Sequence, residues 1–438
     1  MSIHNQLAPT PPMGWNSYDC YGTSVTEAEV KANADYMAQN LRHTGWNYIV
    51  IDGMWYASGD KDGQAVADHA AFAIDDYGRW LPALDRFPSA ADGVGFKALA
   101  DYIHSKGLLF GIHLMRGIPR RAVAANLPIF GTDFLAQEIT DTTSTCTWCD
   151  HNYGINMNHP GAQSYYDSVV ALAATWGVDY IKADDMAAPY YADEIAAIAQ
   201  AITVSSRDIV LSLSPGDMAP SFHHADHLLA HCELWRISPD LWDQWIDAPR
   251  SYPLGCLKDQ FARCREWATY AGPGHWLDAD MLPLGRLGPR PAVGVDRQTA
   301  LTSDEQVTLM TLWAIARSPL MFGGDLPSLD TWTSALLTNE EVLAVNQHSI
   351  NNRELFWRDQ HIGWCANPPA SPDVYLALFN LDDEPTTMVV PLGEIGYRDG
   401  CQVRDLWEHK ELTVPGEYLT QTLPPHGAFL CRIMPITS

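Results

Sequence analysis

Basic residues are scarce in this 438-residue chain: 27 lysines and arginines stand against 53 aspartates and glutamates, a net charge of −26. A surface this negative repels phosphate backbones and anionic lipid. It therefore argues against nucleic acid or a membrane as partner and suits a small neutral substrate. No apolar run reaches the roughly 18 residues that a membrane-spanning helix needs. The first twelve residues lack a basic segment followed by an apolar core, so no secretory signal is expected. The nine cysteines are too few for a disulfide scaffold at this length. Being odd in number, they leave at least one thiol unpaired within a monomer. These absences together predict a reducing, cytoplasmic setting. G-x-G-x-x-G, P-loop, G-x-S-x-G and H-E-x-x-H patterns are also missing, so nothing supports a nucleotide site, a serine-hydrolase elbow or a zincin centre. There is no short-period repeat and no low-complexity tract.

What is present is globular: 47% of the residues are apolar and 18% charged. Over the first 340 or so residues, short apolar runs alternate with amphipathic stretches of helical length. Trp46 to Asp52, Leu108 to Leu114, Val178 to Asp184 and Asp208 to Ser214 read as strands. Between them, Thr26 to Thr44, Gly95 to Ser105, Ala162 to Thr175 and Tyr191 to Val204 read as helices. The first of these is opened by Ser24 with Glu27 three residues on, and closed at Gly45. Near-continuous apolar strands between helices predict a parallel sheet covered on both faces. The number of units predicts an α/β fold of (β/α)8 barrel type over residues 1–347. After about Gln347 the helical period disappears. Val374 to Phe379, Thr387 to Leu392, Gln402 to Trp407 and Ala428 to Ile433 predict a small antiparallel β domain, a sandwich, over 348–438.

Several barrel strands end in a polar or acidic residue: Asp52, Asp184 and Ser214. That rim is where barrels of this class hold their active sites, although an acid there can also merely cap the next helix. Lys182 and Asp184 share one strand end, and Arg236 and Asp240 follow a later one. Two carboxylates at neighbouring strand ends suit a sugar hydrolase, one to attack the anomeric carbon and one to protonate the leaving oxygen. Lys182 beside Asp184 would keep it ionised. The 16 Trp and 18 Tyr supply aromatic faces for sugar C–H surfaces, though most belong to the core. Cys146 and Cys149 form a lone C-x-x-C and read as two free thiols in a long loop. His223, His224, His227 and His231 match no metal-ligand spacing and read as ordinary surface or rim histidines.

At these residues the chain resembles glycoside hydrolase family 27, the α-galactosidase and α-N-acetylgalactosaminidase family. The resemblance runs in order through Pro11–Ser17 (PPMGWNS), Tyr48–Asp52, Tyr180–Asp184, Trp235-Arg236 with Asp240, His275–Leu282, Leu312–Ile315 and Asn346-Gln347. It implies a retaining exo-glycosidase that removes a terminal α-D-galactose or a close relative. Asp184 would be the nucleophile and Asp240 the acid/base, with carboxyl groups about 5–5.5 Å apart. Trp15 would be the sugar platform. Asp52 would bind the 4- or 6-hydroxyl, Lys182 the 3- or 4-hydroxyl, and Arg236 would lie near the 2-hydroxyl. No metal or organic cofactor is implied, and the oligomeric state stays open, a homo-oligomer included.

The chain departs from the family pattern at several points. Gly53 replaces the second of two consecutive acids, which puts sugar preference in question. Ser214 and Asp217 stand where α-galactosidases carry a bulkier Glu and an apolar residue near the 2-position; the small Ser resembles the α-N-acetylgalactosaminidase members. His113 stands where relatives often have Tyr. Met186 replaces a cysteine that pairs in secreted members, and the long loop Arg116 to Asn156 would shape the aglycone side. The alternatives are therefore an α-N-acetylgalactosaminidase, a β-L-arabinopyranosidase (galactose ring stereochemistry without the hydroxymethyl group) or, from another class, an inactive sugar-binding homologue.

Overall fold

A computed structural model describes residues 3–59, 72–214, 219–246, 254–397 and 400–436. Eight parallel strands form one curled sheet: β1 (Met13–Asn16), β2 (Tyr48–Ile51), β3 (Leu109–Met115), β4 (Tyr180–Asp184), β5 (Val210–Leu213), β6 (Leu234–Arg236), β7 (Trp276–Asp278) and β8 (Leu320–Phe322). Their spatial order is β7-β6-β5-β4-β3-β2-β1-β8. A parallel bridge between Leu282, just after β7, and Phe322 of β8 closes the ring. This is the predicted (β/α)8 barrel, with the cores of the four predicted strands recovered and their ends displaced by at most two residues.

Alternation along each strand sorts the side chains. Ile181 and Ala183 of β4 pack outward into the layer shared with the helices, while Tyr180 joins the barrel interior. That interior is filled by Tyr48, Val50, Tyr180, Val210, Leu234, Trp276 and Met321, with Ala8 below them. Trp276 Nε1 donates to the Ala8 carbonyl at 2.9 Å and ties the N-terminal segment under the barrel. A Cβ at Gly14 would stand 2.6 Å from the Tyr48 backbone oxygen, so glycine in β1 is what lets Tyr48 fill this layer. The lower barrel is thus a packed core, and only its C-terminal rim is open to chemistry.

The first long helix, Glu27–Asn40, starts one residue later than the sequence suggested, and its cap lies two residues later. Its capping box is Thr26 with Glu29: the Thr26 side chain accepts from the Glu29 N–H, and Glu29 Oε2 accepts from the Thr26 N–H at 2.9 Å. Ser24 and Glu27 have the same spacing, but tertiary contacts claim both. Ser24 Oγ donates to the Tyr21 carbonyl and receives Arg290 Nε, and Glu27 pairs with Lys31 and the Ser89 N–H. The segment 116–156, expected as a loop, carries two short helices (Arg120–Ala125 and Ala136–Ile139) and a three-stranded sheet of Ile118–Pro119, Thr140–Asp141 and Asn152–Ile155.

From Ile350 onward the chain is antiparallel. Strands β9 (Ile350–Arg358), β10 (His361–Asn367), β11 (Val374–Asn380), β13 (Cys401–Asp405), β14 (Lys410–Val414) and β16 (Ala428–Met434) make a six-stranded sheet in the order β9-β10-β11-β16-β13-β14. Strands β12 (Thr386–Pro391) and β15 (Tyr418–Leu423) pair separately. One face of the larger sheet, with Ile362, Trp364, Ala377 and Phe379, is continuous with the barrel core. The other face packs on β12 and β15 through Leu376, Leu378, Val390 and Leu419.

Candidate active site

Lys182 and Asp184 are two residues apart on β4, so both face inward, above the Tyr180 layer. Lys182 Nζ donates to Asp52 Oδ2 at 2.7 Å. The same oxygen accepts from Asn16 Nδ2 at 2.8 Å, and Asp52 Oδ1 accepts from the Gly53 N–H at 2.7 Å. Burial pushes Asp52 up, but Lys182, His113 and these donors outweigh it and hold the carboxyl well below its ordinary range. Burial works against the Lys182 ammonium, yet Asp52 and Asp184 more than compensate and raise it. The pair is locked in its ionised form at the base of the site.

Asp184 is 8% exposed. Its Oδ1 accepts from the Asp185 N–H at 2.8 Å, and its Oδ2 lies 3.1 Å from His113 Nε2. Burial opposes ionisation here as well, but His113, then Lys182 and the Asp185 N–H, outweigh it and hold Asp184 below the usual carboxylate value. The orientation depends on the turn that follows. Asp185 takes a left-handed φ of +60°, which aims its N–H back at Asp184. Arg116 holds that turn: its Nε donates to the Asp185 carbonyl at 3.0 Å and to Asp185 Oδ2 at 2.9 Å.

Two strands along the rim, with β5 between rather than at the adjacent strand end expected, Arg236 of β6 is buried and divides its guanidinium between two acids. Nη2 meets Asp240 Oδ1 at 2.9 Å and Nη1 meets Asp280 Oδ1 at 2.8 Å. The Asp240 side chain is 49% exposed, the most accessible carboxylate of the group. Burial raises the buried Asp280 and Asp278 above the ordinary range, against the pull of Arg236. Beside the Asp52–Lys182 pair the rim thus presents a buried ionised carboxylate, Asp184, and an accessible carboxyl, Asp240.

The alpha galactosidase A family model matches residues 129–348, and the alpha galactosidase C-terminal beta sandwich model matches residues 359–433. A crystal structure of a GH27 β-L-arabinopyranosidase from Geobacillus stearothermophilus, in complex with arabinose, is 45% identical and superposes with a TM-score of 0.94 over 99% of each chain.

The chain belongs to glycoside hydrolase family 27.

It is also similar to the alpha-galactosidase 2 of Arabidopsis thaliana, 29% identical over 444 residues that cover 100% of this chain and 92% of that one. The alpha-N-acetylgalactosaminidase of Gallus gallus is 26% identical over 458 residues, 99% and 95% of the two chains. The protein is a retaining glycosidase of the α-galactosidase type.

The rim brings together most of the family 27 residues expected from sequence: Asp52, His113, Lys182, Asp184, Arg236 and Asp240. Ser214 is buried at the end of β5, and its N–H donates to the Ala183 carbonyl at 2.8 Å. Asp217 lies outside the described residues. Trp15 requires a correction. Its side chain is fully buried, with Nε1 donating to the Gly324 carbonyl at 2.9 Å, so it has no free face for a sugar. An aromatic that does stand on the rim is Tyr18, three residues on, which is half-buried with Lys182 Nζ 5.9 Å from its ring centroid. Burial, then the charges of Asp240, Asp52 and Asp184, raises its hydroxyl far above the ordinary value. The swap follows from the chain path: β1 ends at Asn16, and the turn into the next short helix carries Tyr18 over the rim. The other omissions were Asn16 and Asp280. Asp280 sits in the His275–Leu282 motif, but only the fold shows that its carboxylate reaches Arg236.

Two other sequence features take shape outside the catalytic floor. Tyr190 stacks on His224 with centroids 3.7 Å apart and meets His227 Nδ1 at 2.7 Å, while His227 stacks on His231. Cys146 and Cys149 are buried thiols raised by burial, to about 12 for Cys149.

Proposed function

We propose that this enzyme removes terminal β-L-arabinopyranose in preference to α-D-galactose. Asp184 acts as nucleophile and Asp240 as general acid and base. The observation that carries the preference is Gly53. Where a second carboxylate would meet the hydroxymethyl edge of galactose, this chain has a glycine. A Cβ there would meet only the His113 ring, at 3.5 Å. The neighbouring acid, Asp52, is already engaged by Asn16, Lys182 and its own turn. A sugar with galactose stereochemistry and no hydroxymethyl group loses nothing at such an edge, whereas galactose must bury its 6-hydroxyl without the usual acceptor. The 45% identity to a β-L-arabinopyranosidase across both whole chains supports the same reading.

In the first step an Asp184 oxygen bonds to the anomeric carbon as the glycosidic C–O bond breaks, and the departing oxygen takes the proton of Asp240. In the second step Asp240 takes a proton from water, whose oxygen displaces Asp184, so the anomeric configuration is retained. Lys182, Asp52, Arg236, Tyr18 and His113 bind the ring. A second reading, α-N-acetylgalactosaminidase, is favoured by one observation, the small Ser214 near the position of the 2-substituent. A reducing, cytoplasmic setting belongs to the proposal, supported by buried free thiols at Cys20, Cys146, Cys149, Cys232, Cys264, Cys365, Cys401 and Cys431.

Initial rates on aryl β-L-arabinopyranoside, α-galactoside and α-N-acetylgalactosaminide, with Asp184→Asn as the inactive blank, test the assignment. The arabinopyranoside is expected to give the highest kcat/KM. Gly53→Asp, whose Cβ fits without a clash, should move the ratio toward galactoside by roughly 10–100-fold. A galactoside preference in the parent protein overturns the assignment.

A further inference from the structure

Asp280 takes no part in the steps above, yet it is tied down more completely than the acid that does. Its backbone adopts φ +85°, a left-handed conformation that a non-glycine residue keeps only where its surroundings enforce it. All four of its polar groups are engaged. The N–H donates to Asp278 Oδ1 at 2.8 Å, and the carbonyl accepts from Trp313 Nε1 at 2.9 Å. Oδ1 takes Arg236 Nη1 at 2.8 Å, and Oδ2 accepts from the Leu241 N–H at 2.6 Å.

The two side-chain partners both hold Asp240, whose carbonyl also accepts from the Gly255 N–H at 2.7 Å. Arg236 holds the Asp240 carboxylate directly through Nη2 at 2.9 Å. Leu241 is the next residue in the chain, so fixing its N–H fixes the peptide unit that carries Asp240. Asp240 needs such handles, because its side chain is half exposed and lies in the loop beyond β6. A general acid works only within hydrogen-bond reach of the oxygen it protonates, and an untethered loop side chain spends little time there.

We propose that Asp280 is the positioning residue for the acid/base of this enzyme, holding Asp240 by its side chain through Arg236 and by its main chain through Leu241. This rests on the assignment of Asp240 as the acid.

Asn at 280 keeps the shape but offers one acceptor instead of two. Its amide N–H2 must then face either Arg236 or the Leu241 N–H, both donors, and one tether is lost. The loss should fall on proton donation and spare substrates that need no proton. The experiment measures kcat/KM for aryl glycosides of the preferred sugar, from dinitrophenyl to phenyl, with the parent protein, Asp280→Asn, Asp280→Glu and Asp240→Asn. For Asp280→Asn the expectation is a roughly 10–100-fold loss on the phenyl glycoside and less than about 3-fold on the dinitrophenyl glycoside. Equal losses on both would mean that Asp280 only maintains the fold or the sugar pocket, and would overturn the inference. Asp240→Asn separates the two levels. If it shows the steep leaving-group dependence and Asp280→Asn does not, the acid is correctly assigned and the positioning role fails; if it shows none, the assignment of Asp240 fails first. Should Asp280→Asn not fold, judged by circular dichroism and thermal unfolding, Asp280→Glu carries the test. It retains both acceptors on a longer arm, so the same selective loss at a smaller factor is expected, and a uniform loss overturns the proposal.

Discussion

His113 stands directly against the nucleophile. The family resemblance implies tyrosine at this position, whereas here an imidazole nitrogen lies 3.1 Å from Asp184 and the ring borders the open edge at Gly53. It is one of the groups that lower Asp184. The sign of the pH effect follows. A carboxyl held below its ordinary value of 3.8 stays ionised down to that depressed value, so the acid limb of kcat/KM should lie below about pH 4. Replacing His113 with Phe removes the donor and leaves the burial. The acid limb should then move to higher pH by about one unit or more, read from kcat/KM profiles on an activated aryl glycoside. An unmoved limb would mean that Lys182 and the Asp185 N–H suffice. The same scale shows where residue patterns mislead: Trp15 and Tyr18 are both aromatic and three apart, and only the end of β1 decides which one meets solvent.

At the scale of elements, the turn after β4 is held by a buried cluster of charges. Arg116 is buried, pairs with Asp185 at 2.8 Å and Glu194 at 2.8 Å, and lies with its guanidinium 3.6 Å from the Tyr191 ring centroid. Tyr166 donates to the other Glu194 oxygen. This cluster joins β3, β4 and the helices Ala162–Trp176 and Ala192–Ser205, and it fixes the Asp185 backbone that orients the nucleophile. A buried pair adds little over a well-packed apolar replacement, but breaking one side of it leaves an uncompensated charge. Glu194→Ala should therefore cost about 3–5 kcal/mol of stability, measured by chemical unfolding. A loss below about 1 kcal/mol would show that Asp185 alone satisfies Arg116. None of this was legible from residue patterns, because Arg116, Asp185 and Glu194 are ordinary surface types whose burial depends on the packing of two helices.

At the scale of the whole molecule, the barrel and the β domain share a core and a polar seam. Phe261 of a barrel helix meets Phe379 with ring centroids 4.9 Å apart. Trp407 Nε1 donates to Thr311 Oγ1 at 2.9 Å, and Thr308 Oγ1 to the His426 carbonyl at 2.6 Å. His426 stacks on Trp245 and meets Glu305 at 2.7 Å. Trp245 lies five residues beyond Asp240, so the β domain braces the segment that carries the acid. The two parts should unfold in one cooperative calorimetric transition, and Trp407→Ala should lower Tm without splitting it. Two separated transitions would mean that the shared core contributes little.

Periodicity and spacing determined the barrel, the change to antiparallel strands near residue 350 and the acids at the strand ends, because these depend on local alternation and on a chain order that a parallel barrel imposes. Strands β9, β10, β14 and β15 escaped that reading, since their half-exposed or turn-bounded runs carry weak alternation. Tertiary structure alone decided which aromatic stands exposed on the rim, that one guanidinium serves both Asp240 and Asp280, and that Arg116 sits behind the nucleophile. These are contacts between residues 40 to 80 positions apart, or between neighbours whose directions depend on where a strand stops. A linear pattern records which groups are available, whereas which of them meet is fixed only when the sheet curls closed and desolvates them together.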